Sequence, residues 1–128
     1  KFFRLLSEIP NDINYLKKSF YQDCSFEIES VWNNWLNIWF NSLKEVNNIN
    51  QISVDMKKVN PRYTWREWLI SFAYKAAEKG DLSLIKELQI VFDNPYDDLS
   101  IHFQNKFDVL RPLKFFNNGG ISHYSCSS

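Results

Sequence analysis

The chain has 128 residues, 45% of them hydrophobic and 17% aromatic, which is enough for one globular core and too apolar for a disordered segment. Fifteen basic residues are matched by fifteen acidic ones, so there is no surplus of positive charge to hold nucleic acid or an anionic membrane surface. Three glycines, Gly80, Gly119 and Gly120, cannot build a phosphate-cradling loop, and the longest apolar stretch, around Trp35 to Phe40 and broken by Asn37, is too short to span a bilayer.

Helical periodicity runs along the chain, and no alternating apolar and polar run is framed by hairpin turns. The expectation is an all-α fold: about four helices, an αα-hairpin among them, over 1–94, then a mostly irregular tail over 95–128 that ends in Ser-Cys-Ser-Ser. Phe2, Phe3, Leu5 and Leu6, with Arg4 among them, are too short and too charged for a signal peptide, and the start at Lys1 reads as a cut end. After Pro10, Asn11 or Asp12 can cap a short helix that carries Ile13, Leu16 and Phe20 on one face and frays near Gln22 to Ser25. Ser25 caps the next and longest early helix. There Ile28, Val31, Trp32, Trp35, Leu36, Trp39 and Leu43 recur at helical spacing, opposite a wet face of Asn33, Asn34, Asn37, Asn41 and Lys44, up to Asn47–Asn50.

Asn60 followed by Pro61 reads as a third helix start, with Trp65, Trp68, Leu69, Phe72, Ala73, Ala76 and Ala77 as its buried stripe and Gly80 as its left-handed end. Asp81 then caps a fourth helix, with Leu82, Ile85, Leu88 and Phe92 on one side, before Asn94 and Pro95 stop it. Helices three and four make the αα-hairpin. Beyond Pro95, the residues Asp97, Asp98, Pro112 and Asn117 to Gly120, with the closing serines, are loop chemistry.

The order of these motifs resembles the C-terminal region of the selenoprotein O family of kinase-like protein adenylyltransferases. The likeness lies in Phe2-Phe3-Arg4 with Leu6-Ser7-Glu8-Ile9, the tryptophan helix around Trp32 and Trp35, and Val59-Asn60-Pro61-Arg62-Tyr63 with Arg66. It continues through Ala76-Ala77-Glu78-Lys79-Gly80-Asp81, Asn94-Pro95-Tyr96-Asp97 and the terminal Ser125-Cys126-Ser127-Ser128, while residues 99–122 carry nothing over. The resemblance implies a parent protein that transfers AMP from ATP to protein hydroxyls with Mg2+ or Mn2+. Its nucleotide and metal residues precede the region matched here. No catalytic, cofactor or metal residue of the family falls on these 128 positions, so the expected partners are the missing N-terminal kinase-like domain and the parent's protein substrates. The implied location is the cytoplasm for a bacterial protein and the mitochondrion for a eukaryotic one.

Cys126 is the one site residue the resemblance implies, as a redox thiol whose partner cysteine lies in the kinase-like domain. On the residues alone, an accessible thiol on a polar terminus can exchange disulfides only if enough thiolate forms, and a thiol without function is the plainer reading. Two cysteines are too few for a disulfide-built scaffold, which favours a reducing compartment, and Cys24 is expected to be a partly buried structural thiol. Cys24, His102, His123 and Cys126 make up a Cys2His2 inventory without two close ligand pairs, so no zinc site is expected. Cys126 beside His123 or His102 lacks an oxyanion site, and Asp97 with Asp98 reads as turn chemistry rather than as an acid and base.

The five tryptophans read as core, with a surplus of aromatic surface that would lie exposed in isolation and invite self-association. Arg62 and Arg66, four apart, share a face of the third helix, either solvated or turned to acidic groups of the missing domain. The competing function is a freestanding helical interaction module. Ala76-Ala77-Glu78-Lys79-Gly80-Asp81-Leu82 with Ile85 and Leu88 looks like one ankyrin-type junction, but such folds stack several copies.

Overall fold

The structure is a computed structural model that describes residues 1–46 and 48–116. Among these residues there are seven α-helices and no strand: the all-α expectation holds, with more helices than the four foreseen. The chain divides into two compact units, one from Lys1 to Arg62 and one from Tyr63 onward, each around its own core.

The first unit holds α1 (Phe2–Leu6), α2 (Ile13–Leu16) continued by a 3-10 turn (Lys17–Ser19), α3 (Phe26–Val46) and α4 (Ile49–Val59). Of the two candidates for the α2 cap, Asp12 takes the role: its carboxylate accepts the Asn14 N–H at 2.8 Å. Asn33, read as part of the wet face of α3, accepts the Ile13 N–H at 2.8 Å and so anchors the start of α2 to α3. Ser25 begins α3 as expected, its carbonyl accepting from Glu29 at 2.9 Å and its hydroxyl lying 3.4 Å from the Ile28 N–H. The core is Leu6, Ile13, Leu16 and Leu36, with Phe2, Phe20, Trp32, Trp39 and Met56 packed around it.

Two helices here lie outside the sequence expectation. α1 is a single short turn-and-a-half, and α4 falls between segments read as punctuation. Polar groups fasten α4 to the end of α1. Arg4, buried, donates to the Lys57 carbonyl at 3.2 Å; Ser53 donates to the Ser7 carbonyl at 2.7 Å; Asn60 donates to the Ser7 hydroxyl at 3.0 Å; and Lys57 pairs with Glu8 at 2.7 Å. Ser7 is itself fully buried, and its hydroxyl donates to the Phe3 carbonyl at 2.8 Å. Two residues further on, Ile9 adopts a φ of 53°, a left-handed conformation that a β-branched side chain reaches only at a cost of about 1–2 kcal/mol. Burial of the Ile9 side chain and the Ile9 N–H bond to the Leu6 carbonyl at 2.9 Å hold it there.

Asn60 therefore closes α4 instead of opening the next helix: its N–H reaches the Met56 carbonyl at 3.0 Å, and residues 61–66 run without helix. The second unit begins there. Its helices are α5 (Glu67–Ala77), α6 (Ser83–Asp93) and α7 (Ile101–Phe107), followed by a 3-10 turn (Leu113–Phe115). α5 and α6 form the foreseen hairpin. Gly80, at φ 85°, lets the Asp81 N–H bond the Ala76 carbonyl at 3.0 Å and its own N–H bond the Ala77 carbonyl at 2.8 Å, the paired closure of a Schellman end.

Asp81, expected to cap α6, stands one residue before its cap Leu82, where its carboxylate still accepts the Ser83 N–H at 2.9 Å, and Asn94 ends the helix by donating to the Ile90 carbonyl at 2.9 Å. The stretch after Pro95, expected to be mostly irregular, carries α7, which Phe107 anchors in a core of Tyr63, Trp68, Leu69, Ala73, Leu88 and Val91. Tyr63 enters that core beside the end of α6, its N–H bonded to the Pro95 carbonyl at 3.1 Å.

Candidate functional site

Two apolar surfaces stand out, one in each unit. On α3 the positions Ile28, Val31, Trp32, Trp35, Leu36, Ile38, Trp39 and Leu43 alone cover an arc of roughly 160°, wider than the ~100° stripe that burying one face of a surface helix requires. Leu36, fully buried, with Trp32 and Trp39, faces the core. The adjoining row of Ile28, Val31, Trp35 and Ile38 is exposed, Val31 at 70% and Ile38 at 60%. Ile28, Val31 and Trp35 are thus corrections to the buried stripe expected of this helix. Trp35 stands in an aromatic ladder, edge-on to Trp32 at 5.7 Å and stacked on Trp39 at 5.6 Å, so its ring is held in place while one face stays wet.

In the second unit a groove of about 390 Å³ runs along the α5–α6 hairpin, lined by Ile70, Ala73, Tyr74, Ile85, Leu88 and Phe92, with Gln89 and Asp93 at its polar edge. Trp65 forms its wall. Read as core, Trp65 is 72% exposed, because α5 starts only at Glu67 and leaves this indole outside the helix, stacked on Phe92 at 4.6 Å. Trp68 keeps its predicted place in the core and stacks on Phe115 at 5.9 Å, whereas Phe72 is partly exposed.

The structure separates most of the chemistry-bearing residues. Cys126 and His123 lie outside the described residues. Cys24 carries a free, half-buried thiol just before α3. His102, on α7, lies 3.5 Å from Glu87 of α6, which also takes a hydrogen bond from Lys106. That Lys106 bond holds the Glu87 carboxyl below the ordinary glutamate range, with a smaller push from His102, against the upward effect of desolvation. Asp97 and Asp98 are exposed in the turn after α6. Among the described residues no three His, Cys, Asp or Glu side chains gather as a metal-ligand set, and no helix is long and apolar enough to cross a membrane.

Arg62 and Arg66 do not share a helix face, since neither is on a helix; Arg66 directs its guanidinium to the Val109 carbonyl and ties the start of α5 to the segment after α7. The residues that motif order singled out in Arg4, Ser7, Glu8, Ile9 and Asn60 are instead brought together, in the polar joint between α1 and α4. Hydrophobic periodicity could not reveal that joint. Its only sequence signal is the pair of motifs Leu6-Ser7-Glu8-Ile9 and Val59-Asn60-Pro61, whose side chains meet across about fifty residues of chain.

The chain is similar over nearly its whole length to the protein nucleotidyltransferase YdiU of Flavobacterium johnsoniae, 29% identical over 136 aligned positions that cover 99% of this chain and 26% of that protein. The YdiU protein nucleotidyltransferase of Aromatoleum aromaticum is 33% identical over 132 positions, 99% of this chain and 25% of that protein. That of Rhodopirellula baltica is 41% identical over 73 positions, 57% of this chain and 13% of that protein. The chain spans about a quarter of the length of the curated relatives it matches throughout. No family model and no solved structure matches it. Relatives of one kind along the full chain, together with a motif order that resembles one region of one family, lead to a single assignment: the chain belongs to the selenoprotein O family, that of the YdiU protein nucleotidyltransferases, as its C-terminal region.

Proposed function

We propose that these residues serve as the C-terminal accessory region of a protein adenylyltransferase, non-catalytic by themselves, with Cys126 as a redox-sensitive thiol. The observation that supports this most is the similarity of the whole chain to about a quarter of several protein nucleotidyltransferases. The parent activity draws on ATP and Mg2+ or Mn2+. The described residues do not fit either group: no three carboxylates, histidines or cysteines converge, and Gly80, the glycine among them, closes a helix instead of cradling a phosphate. What the segment supplies is mechanical: two small helical units whose outer apolar surfaces await a neighbour.

In the redox step, the Cys126 thiol and a cysteine thiol elsewhere in the longer protein form a disulfide, and oxidised glutathione takes up the two electrons and two protons. The test is nucleotide transfer from labelled ATP to protein, measured for the 128-residue chain and for the product of its complete reading frame. The chain alone is expected to transfer nothing and the longer protein to transfer label. Oxidised glutathione is expected to slow the longer protein reversibly and to leave its Cys126→Ser variant unchanged. Transfer by the chain alone, or equal sensitivity of the variant, defeats the respective part of the reading.

A further inference from the structure

We infer that the exposed row of α3, Ile28, Val31, Trp35 and Ile38, is the surface on which the remainder of the longer polypeptide docks; this rests on the accessory-region reading above. The row adjoins the buried Leu36 and the partly buried Trp39 on one helix, so it extends a packed face outward instead of scattering apolar side chains among polar ones. It exposes roughly 400 Å² of apolar side chain, within the range of patches that mark interaction sites on small proteins.

Area decides between occupants. A stable association of two copies needs about 800 Å² from each partner, because free molecules lose translational and rotational freedom on binding. A row half that size falls short. A segment joined to its partner by the same backbone is held at high effective concentration and escapes most of that loss, so a patch of this size suffices in cis. The relatives supply the length for such a partner, since about three quarters of each lies outside the similarity. The facing surface must itself be apolar and free of buried charge, because a charge set against Val31 or Ile38 would lose its water without gaining a counter-ion.

The experiment is photocrosslinking in the product of the complete reading frame, with p-benzoyl-L-phenylalanine replacing Val31, Ile38 or, as a control on the opposite face, Asn37. All three side chains are exposed, so the fold is expected to persist, and circular dichroism checks it. Crosslinks from positions 31 and 38, absent from 37, to peptides of the same polypeptide outside these 128 residues are the expected result. Adducts between two copies overturn the inference in favour of a dimer, and crosslinks confined to these residues, or none, overturn it as well. A reading frame that encodes only these residues removes the accessory-region reading itself. A longer protein that transfers nucleotide without the crosslink removes the docking surface alone.

Discussion

The two units of this chain solve the same packing problem with different materials. From Tyr63 onward, three helices close over Trp68, Leu88, Val91 and Phe107, and the large rings are shared between core and rim. In the first unit the helices around α3 are shorter than it, α1 with five residues, α2 with four and α4 with eleven, of which Met56 packs on the shared core, and they leave one side of a 21-residue helix exposed. Trp68 of α5 is consequently core, while Trp35 of α3, at helical spacing from its partners Trp32 and Trp39, stays half-wet. Burial depends on the length of the covering element as well as on the pattern of the covered one.

The largest effects test whether the cores are as separate as this comparison makes them. Phe107→Ala is expected to destabilise by about 3–5 kcal/mol and Leu36→Ala by about 2–5 kcal/mol, since each removes a nearly or fully buried side chain and leaves a cavity. Hydrogen exchange followed by mass spectrometry should show Phe107→Ala lowering protection chiefly after residue 63 and Leu36→Ala chiefly before residue 62. Equal loss in both units for either variant breaks the comparison. At the next level, Gly80→Ala is expected to cost about 1 kcal/mol or slightly more, a loss measurable in a urea titration. No atom lies within 4 Å of the added Cβ, so the cost comes from the positive φ alone, and an unchanged midpoint would mean that the Schellman closure is not what joins α5 to α6.

How much of this was legible follows the kind of force involved. The caps Asp12 and Ser25, the Asp81 turn and the Gly80 end are local chemistry that the sequence displayed, with Asn11 as the one rival to Asp12. α4 was hidden because it is held through Ser53, Lys57 and Asn60 to groups some fifty residues away, with Met56 as the one apolar side chain packed on the core. Asn60-Pro61 misled for a related reason: Asn and Pro suit a helix start, yet here the distant Ser7 hydroxyl uses the Asn60 amide, and α5 waits until Glu67. Of the candidate site, Cys126 was legible only through resemblance. The expected surplus of exposed aromatic surface corresponds only in Trp35 to the exposed row of α3, whose other members, Ile28, Val31 and Ile38, are aliphatic.

A smaller effect sharpens the comparison at the surface. Val31→Ser on α3 is expected to change stability by less than about 0.5 kcal/mol, because an exposed side chain carries little of the folded-state energy. Trp65→Ala, equally exposed, should cost more, roughly 0.5–1.5 kcal/mol, for the lost stack on Phe92. Thermal melts of the two variants side by side check the order. A reversed order would mean that the α3 row is already covered within the isolated chain.

The smallest effect is the response to acid, and it differs in kind between the units. Asp12 is held below the ordinary aspartate range by the Asn14 backbone N–H, Asp81 by the Ser83 hydroxyl and N–H, and Glu87 by Lys106. A carboxyl with a depressed pKa when folded stabilises fully above its unfolded value, about 3.9 for Asp and 4.3 for Glu, and that contribution is lost as pH falls through the folded value. Both units should therefore weaken below about pH 4. The second should weaken more, because Glu87 joins two helices, whereas in the first Asp12, Glu27, lowered by the Ser25 hydroxyl, and Asp55, lowered by Lys58, are each held by contacts within or at the end of one helix. Glu87→Gln lowers stability at pH 7 and flattens the acid limb of the second unit only, which urea titrations at pH 7 and pH 3 with exchange readout would show. An acid limb unchanged by Glu87→Gln would mean that Phe107 and the core, rather than the Glu87 contacts, hold α7 in place.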